Sequence, residues 1–329
     1  MAKSVGIMSA RMNQERIVLL IAVALFVIFS ATLPGFLGVD NLLSLVQSVS
    51  ILGILGAGIA LTIIGRGIDL SMVATMAMGA GWLFLMRNEG YPVAAALLIV
   101  LVAAVVIGLV NGFLVAYAEV PAIFTTLAMA TVIYGFFRLA LVPTDVVHLP
   151  IDGDLFARIG AVRLFGVPGS VVVFALVCLA VSLLLRFTGP GRYIYAIGDN
   201  PLTSRVTGVP VRPVIMLKYV LSSIIALIAG IVMATAVSSV NTRVATSTMI
   251  YDVVLVVVLG GIGLSGGKGR IVNVVVGTIL IGILINGMVI MDMSYTTQNM
   301  IKGAILLVAI IVDSIMNPRD EQTSQQGDI

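Results

Sequence analysis

Apolar runs of about bilayer length fill most of this 329-residue chain, at 17–33, 42–64, 69–86, 92–116, 120–142, 168–187, 214–240, 251–264, 270–291 and 297–315. Backbone placed in hydrocarbon must satisfy its own hydrogen bonds. Near-continuous runs rich in Gly and Ala do so as helices, whereas a membrane barrel needs alternating strands. The expected fold is an all-α polytopic membrane protein of about ten transmembrane helices. With 60% hydrophobic and 10% charged residues, the chain lacks the polar surface of a soluble domain, whose charged share is about a quarter. Frequent small residues, such as Gly53, Gly56, Gly58, Gly277 and Gly282, let such helices pack closely.

The basic residues orient this array. With the N-terminus inside, twelve of the 18 Lys and Arg residues fall on the inner side: Lys3, Arg11, Arg16, Arg66, Arg186, Arg192, Arg205, Arg212, Lys218, Lys268, Arg270 and Arg319. Arg87, Arg138, Arg158, Arg163, Arg243 and Lys302 fall toward the outer side. The bias places both termini in the cytoplasm. It divides the chain into an inner tail at 1–16, a transmembrane domain at 17–316 with a large inner loop at 189–213, and an inner polar tail at 317–329. The largest outer loop, 143–167, carries Asp145, Asp152 and Asp154 beside Arg158 and Arg163, and is a candidate dock for an external protein. A cleaved signal peptide is the alternative reading of the first run. Its length and the extended basic tail before it favour a retained helix.

Several function classes are excluded early. Cys178 is the single cysteine, so no CxxC pair is available. His148 is the single histidine, so a Ser-His-Asp triad, a Cys-His dyad or a His-rich metal site would have to use it, and with no metal-ligand spacing around it His148 reads as a loop histidine without chemistry. No catalytic or metal-binding residues are expected. Nor is nucleic acid an expected partner, because no basic cluster is interleaved with aromatics.

The stretch from Gly189 to Lys218 is the one long polar, basic segment between two apolar runs. Asn200 suits a helix N-cap, Pro201 the first helical position and Gly208 a left-handed end, framing a short helix of about two turns. Leu202, Val206 and Val209 stand at i, i+4 and i+7, the spacing of an apolar face laid into a partner's groove. An ordinary solvated loop is the alternative.

Two glycine-rich segments resemble nucleotide motifs only superficially. Gly261-Ile-Gly-Leu-Ser-Gly266 fits GxGxxG, but it lies between membrane runs and lacks an acid about twenty residues on. Gly267-Lys268 is followed by Gly269 where a phosphate loop needs Ser or Thr. A better clue is that Gly67-Ile-Asp-Leu-Ser71 and Gly261-Ile-Gly-Leu-Ser265 are near copies at inner-side breaks, as expected of an internal repeat. Gly67, Asp69, Gly261 and Gly266 are the residues of interest in these loops. Asp69 is placed to cap the next helix with Ser71.

Taken together, Ile64-Gly-Arg-Gly-Ile-Asp-Leu-Ser71, Asn111-Gly112, Pro121-Ala-Ile-Phe-Thr-Thr-Leu127, Gly191-Arg-Tyr-Ile-Tyr-Ala-Ile-Gly198, Thr207-Gly-Val209, Leu259-Gly-Gly-Ile-Gly-Leu-Ser-Gly-Gly267 and Ile301-Lys-Gly-Ala304 resemble the permease subunits of ribose/xylose/galactose-type sugar ABC importers. The resemblance covers most of the chain. It implies a permease in the bacterial inner membrane that works with a second copy or paralogue, two cytoplasmic ABC ATPase subunits and a periplasmic sugar-binding protein. ATP and Mg would be bound by the ATPase, and this chain would hold no cofactor. The resemblance also implies that the short helix after Gly198 couples to the ATPase, through Asn200, Pro201, Leu202, Arg205, Val206, Gly208 and Val209. Arg66 stands where the family usually has glycine, and Thr203-Ser204 where it has small alanines.

The expected mechanism is alternating access with no chemistry in this chain. A neutral polyol needs polar but mostly uncharged walls. Gln47, Ser71, Asn111, Thr125, Thr126, Ser222, Asn286 and Asn299 supply such groups within or beside the runs, each with an interhelical hydrogen bond as its plainer role. The competing class is an ion-coupled secondary transporter, which usually holds ionisable residues at mid-membrane. Here Asp69, Glu119, Asp252, Asp292 and Asp313 all fall near the expected ends of runs.

Overall fold

A computed structural model describes residues 14–150, 155–156, 163–164 and 166–316. The tails at 1–13 and 317–329, and Asp152, Asp154 and Arg158 of the large outer loop, lie outside the described residues. The long apolar runs fold as helices, because each satisfies its own backbone and buries a stripe of small or branched side chains. In chain order they are α1 (Gln14–Thr32), α2 (Val39–Ile64), α3 (Met72–Asn88), α4 (Val93–Ala116), α5 (Ala122–Ala140) and α6 (Gly169–Phe187). They continue as α7 (Gly189–Asp199), α8 (Pro201–Val206), α9 (Val211–Val237), α10 (Met249–Leu259), α11 (Ile271–Ile290) and α12 (Tyr295–Met316).

Seven of these, α1, α2, α4, α5, α6, α9 and α11, are long and apolar enough to cross a membrane. The chain is a multi-pass membrane protein. Three expected spans come out shorter or differently bounded. The run 69–86 becomes helical only at Met72, because 65–71 is irregular backbone. The run 251–264 yields only the 11 residues of α10, about 16 Å of helix against a hydrocarbon core of about 30 Å. It ends in the glycine-rich break that begins at Gly260, where Gly261, Gly266, Gly267 and Gly269 all take positive φ. The last run folds as the 22 residues of α12, of which Tyr295–Ile311 is an apolar stretch short of span length.

The centre of the bundle is α2, whose residues from Leu52 to Ile64 are all buried. On one side α9 crosses it, and α9 also packs along α4 and α3. A small-residue seam makes the α4–α9 approach possible. A Cβ on Gly108 would sit 2.5 Å from the Val220 Cα, and one on Gly112 would sit 2.6 Å from the Met216 Cα. The spacing is the GxxxG pattern that lets helices touch backbone to backbone in lipid. On the other side, α11 packs on α2 and carries α1, whose Phe29 ring lies over Gly287. The first run is thus a packed helix of the bundle.

The inter-helix segments sort to two ends. At one end β1 (Val146–His148) pairs antiparallel with β4 (Ser239–Asn241), followed by a 3-10 turn at Thr242–Thr246. The Asp145 carboxylate there accepts from Arg243 at 2.6 Å and from Arg138 at 2.8 Å. The Arg243 hydrogen bond, with the charges of both arginines, holds its carboxyl below the usual carboxylate range. A hairpin of two-residue strands, β2 (Arg163–Leu164) and β3 (Val167–Pro168), leads into α6. At the opposite end lie the 65–71 break, the α7–α8 elbow and the break that follows α10.

Candidate functional site

The expected loop at 189–213 is mostly helix. Thr188 accepts from the Gly191 amide at 3.1 Å as an N-cap, and Pro190 sits in the first turn, where its missing N–H costs nothing. Gly189-Pro190 therefore opens α7 instead of breaking the chain. One face of α7 buries Gly191, Ile194, Ile197 and Gly198, and Tyr195 donates to the Gly269 carbonyl at 2.7 Å. That spacing is visible in the sequence, but the Gly-Pro pair masks it.

The short helix α8 forms with the caps its residues suggest. The Asn200 side chain accepts from the Thr203 amide at 3.0 Å, and Pro201 is the first helical residue. Gly208 takes φ +83°, while the Gly208 amide donates to Arg205 and the Val209 amide to Ser204, the paired bonds of a Schellman ending. The helix is shorter than the expected two turns, running only from Pro201 to Val206. Val209 falls beyond its end and turns half-buried against the core, so it does not share the free face. The face that remains is Leu202, 47% exposed, and Val206, 88% exposed. Arg205 lies 3.9 Å and Arg212 3.4 Å from Glu119 in the α4–α5 connection, and Arg212 also stacks on Tyr117. These exposed pairs orient the elbow and contribute little energy.

The two near-copy breaks meet beneath this elbow. The Gly267 amide donates to the Ile64 carbonyl at 2.8 Å, and Gly198 packs against both so closely that any side chain there would collide. Arg66 holds φ +56°, the left-handed region where the related glycine would sit without strain, so one residue in this break is strained. Asp69 forms an Asx-type turn over Ser71. Its Oδ1 accepts from the Ser71 amide at 3.1 Å and the Ser71 hydroxyl at 2.6 Å, while Oδ2 accepts from Ser222 at 2.7 Å. Asn111 donates to Ser71 Oγ at 2.9 Å. Asp69, Ser71, Asn111 and Ser222 are thus one buried network joining the break to α4 and α9. In the second break Gly263 stands at the position of Asp69, and a carboxylate arrives from elsewhere. Asp313 of α12 accepts from the Leu264 amide at 3.3 Å, and a Cβ on Gly263 would lie 2.6 Å from its Oδ1.

Lys218 is counted on the inner side by the charge bias, and what the sequence does not reveal is its burial: it is 2% exposed on α9 and donates to the Gly65 carbonyl at 2.5 Å. On the same helix Tyr219 donates to the Ile68 carbonyl at 3.4 Å. A hydropathy window treats Lys218 as the edge of a run and cannot see that the break comes to meet it.

The eight expected pathway residues do not gather around one cavity. Thr126 donates to Ala122 and Ile68 carbonyls, Asn286 exchanges two amide bonds with Asn41, and Gln47 is half-buried on α2. Asn111 Oδ1 and Thr125 Oγ1 are buried with no hydrogen-bond partner among the described residues. Asn299 lines a cavity of about 320 Å³ between α10 and α12. There its Oδ1 accepts from Thr248 at 3.2 Å.

A multi-helix membrane bundle with two packed breaks and an exposed capped elbow at one end defines a transport permease subunit. The chain belongs to the family described as Branched-chain amino acid transport system / permease component, whose sequence profile matches residues 41–310. Among curated proteins it is 34% identical over 313 residues to the ribose import permease protein of Escherichia coli (strain K12), covering 92% of this chain and 94% of that one. It is 32% identical over 293 residues to the ribose import permease protein of Bacillus subtilis (strain 168), covering 88% and 89%. It is also 30% identical over 310 residues to the L-arabinose transport system permease protein of Escherichia coli (strain K12), covering 90% and 87%. No solved structure matches the chain.

Proposed function

We propose that this chain is the membrane-spanning subunit of an ATP-driven ABC importer for a pentose-like monosaccharide or related polyol, set in the bacterial inner membrane with both termini inside and about ten passes. It works with a second permease copy or paralogue, two cytoplasmic ATPase subunits that bind ATP and Mg, and a periplasmic binding protein that delivers the sugar. The observation that carries this reading is the joint presence of near full-length similarity to ribose and arabinose permeases and a capped helix, α8, offering Leu202 and Val206 to a partner. An apolar face of this kind suits a groove on a soluble partner.

In this reading α8 transmits the ATPase cycle. It is continuous with α9 through only Thr207–Pro210, so a displacement of α8 reaches Lys218, Tyr219 and Ser222, which grip the first break. Alternating access follows if α9 and that break have two packed arrangements. The ATPase supplies the differential free energy between them. Co-reconstitution into proteoliposomes with the cognate ATPase and loaded binding protein tests the reading. Sugar uptake that requires ATP and all three components is expected; uptake driven by a proton or sodium gradient without ATP overturns it in favour of a secondary transporter.

A further inference from the structure

The Asp252–Lys302 pair is the one close carboxylate–ammonium pair among the described residues whose two side chains are both largely buried, with 14% and 7% exposure. The Lys302 ammonium lies 2.8 Å from each carboxylate oxygen of Asp252, between α10 and α12. The sequence places Asp252 near the end of an apolar run and Lys302 toward the outer side; the structure brings them together in the wall of a cavity. That cavity holds about 320 Å³, its surface is mostly apolar, and Tyr251, Asp252, Asn299 and Lys302 are among the residues that line it. Its size lies at the lower end for small-molecule sites.

A buried ion pair is a poor way to stabilise a fold, because desolvating two charges offsets most of their attraction and a well-packed apolar pair does as well. Ionisable residues kept within a membrane domain accordingly mark pathways more often than packing. The group around this pair matches the chemistry of a polyol. A carboxylate accepts from vicinal hydroxyls, and an ammonium and an amide donate to sugar oxygens. The exposed Tyr251 ring offers a face to the apolar C–H side of a sugar. Thr248 is held by Tyr295 at 2.7 Å and by Asn299, so the rim is already oriented without ligand.

We propose that the α10–α12 cleft is a sugar-contacting station on the translocation path, in which Asp252, Lys302 and Asn299 exchange hydrogen bonds with substrate hydroxyls and Tyr251 bounds the ring. The proposal rests on the importer reading above. It assigns the contact to this cleft, whereas Asp69, Ser71, Asn111 and Ser222 hydrogen-bond to one another in a buried network.

The test uses the complete importer in proteoliposomes with radiolabelled D-ribose or L-arabinose, measuring sugar moved per ATP hydrolysed at saturating loaded binding protein. The charge-swapped variant Asp252→Lys/Lys302→Asp keeps an ion pair but reverses what each wall offers. Its sugar moved per ATP should fall about tenfold or more, the effect of losing one to two good substrate hydrogen bonds, while stimulated ATP hydrolysis stays within about twofold of wild type. Wild-type transport by the swapped pair would show that the ion pair only packs the helices, and would overturn the assignment. Should the swap fail to assemble, Asn299→Ala decides, because it leaves the pair intact. A fall in sugar per ATP with normal ATP hydrolysis supports the station, and an unchanged ratio rejects it. A wild-type complex that takes up either sugar on a proton or sodium gradient without ATP would instead defeat the importer reading itself.

Discussion

Lys218 places its ammonium 2.5 Å from the carbonyl of Gly65, across 153 residues of sequence, and so caps the C-terminal end of α2 from inside the bundle. A cation at that end complements the negative pole of the helix and satisfies a carbonyl with no intrahelical donor. Lys218→Met should therefore leave Gly65 unpaired at a buried site. The expected cost is about 1–3 kcal/mol of stability, with coupled uptake falling further than basal ATP hydrolysis. Thermal unfolding in detergent and the ratio of sugar to ATP check the two halves of this expectation. A variant indistinguishable from wild type would remove Lys218 from the coupling route.

The exposed face of α8 supplies a second prediction. Leu202→Asp/Val206→Asp should reduce capture of the ATPase subunit and sugar uptake together, by about tenfold or more, since two carboxylates would be buried unpaired in the docked state. Permease abundance should stay near wild type, because both side chains are exposed in the free chain. Val209→Asp should behave differently, lowering abundance, as that residue packs against the core.

At the α4–α9 crossing, Gly112→Leu should force two backbones apart. The expected loss is roughly 1–3 kcal/mol or more, the usual cost of overpacking. Cys178 gives a built-in readout: it is the single thiol and is buried, so a thiol-reactive dye reports unfolding as it becomes accessible. The variant should react at a lower temperature than wild type.

Arg66→Gly should be tolerated or stabilising at the backbone level, by up to about 1 kcal/mol, since it removes a non-glycine residue from the left-handed region. A marked loss of stability would mean that the guanidinium contributes more than the strain it imposes.

The Asp145 carboxyl, lowered by Arg243 and Arg138, makes the β1–β4 end sensitive to acid. Its folded-state pKa lies below the ordinary carboxyl value of about 3.9, so its contribution is full at neutral pH and disappears as pH falls through the lowered pKa. Asp145→Asn should lower stability at neutral pH, where the contribution is full, and the gap to wild type should close as pH falls below about 4. Comparing thermal midpoints of the two proteins across that window measures the effect.

Hydropathy is a local property, and the apolar runs were legible for that reason. The caps of α8 were legible too, because Asn200, Pro201 and Gly208 act on their own neighbours. What was not legible joins distant residues. Asn111 reaches Ser71, Lys218 reaches Gly65, and Lys302 reaches Asp252 only after the helices pack, so each looked like an isolated polar group beside a run. Val209 was misassigned because a helical spacing was extended past the glycine that ends the helix. α7 was overlooked because Gly189-Pro190 reads as a breaker unless Thr188 is recognised as its cap.

The displaced carboxylate of the second break sets an order on how the chain becomes complete. The first break carries its own Asp69 and finds Ser222 and Lys218 once α9 has emerged. The second has Gly263 in the equivalent place and must wait for Asp313, near the end of the last helix. During synthesis the first knot can therefore close while the ribosome is still making α10. The second stays open until α12 is in place, so a chain shortened before residue 313 would keep its first knot and lose the acceptor that completes the second.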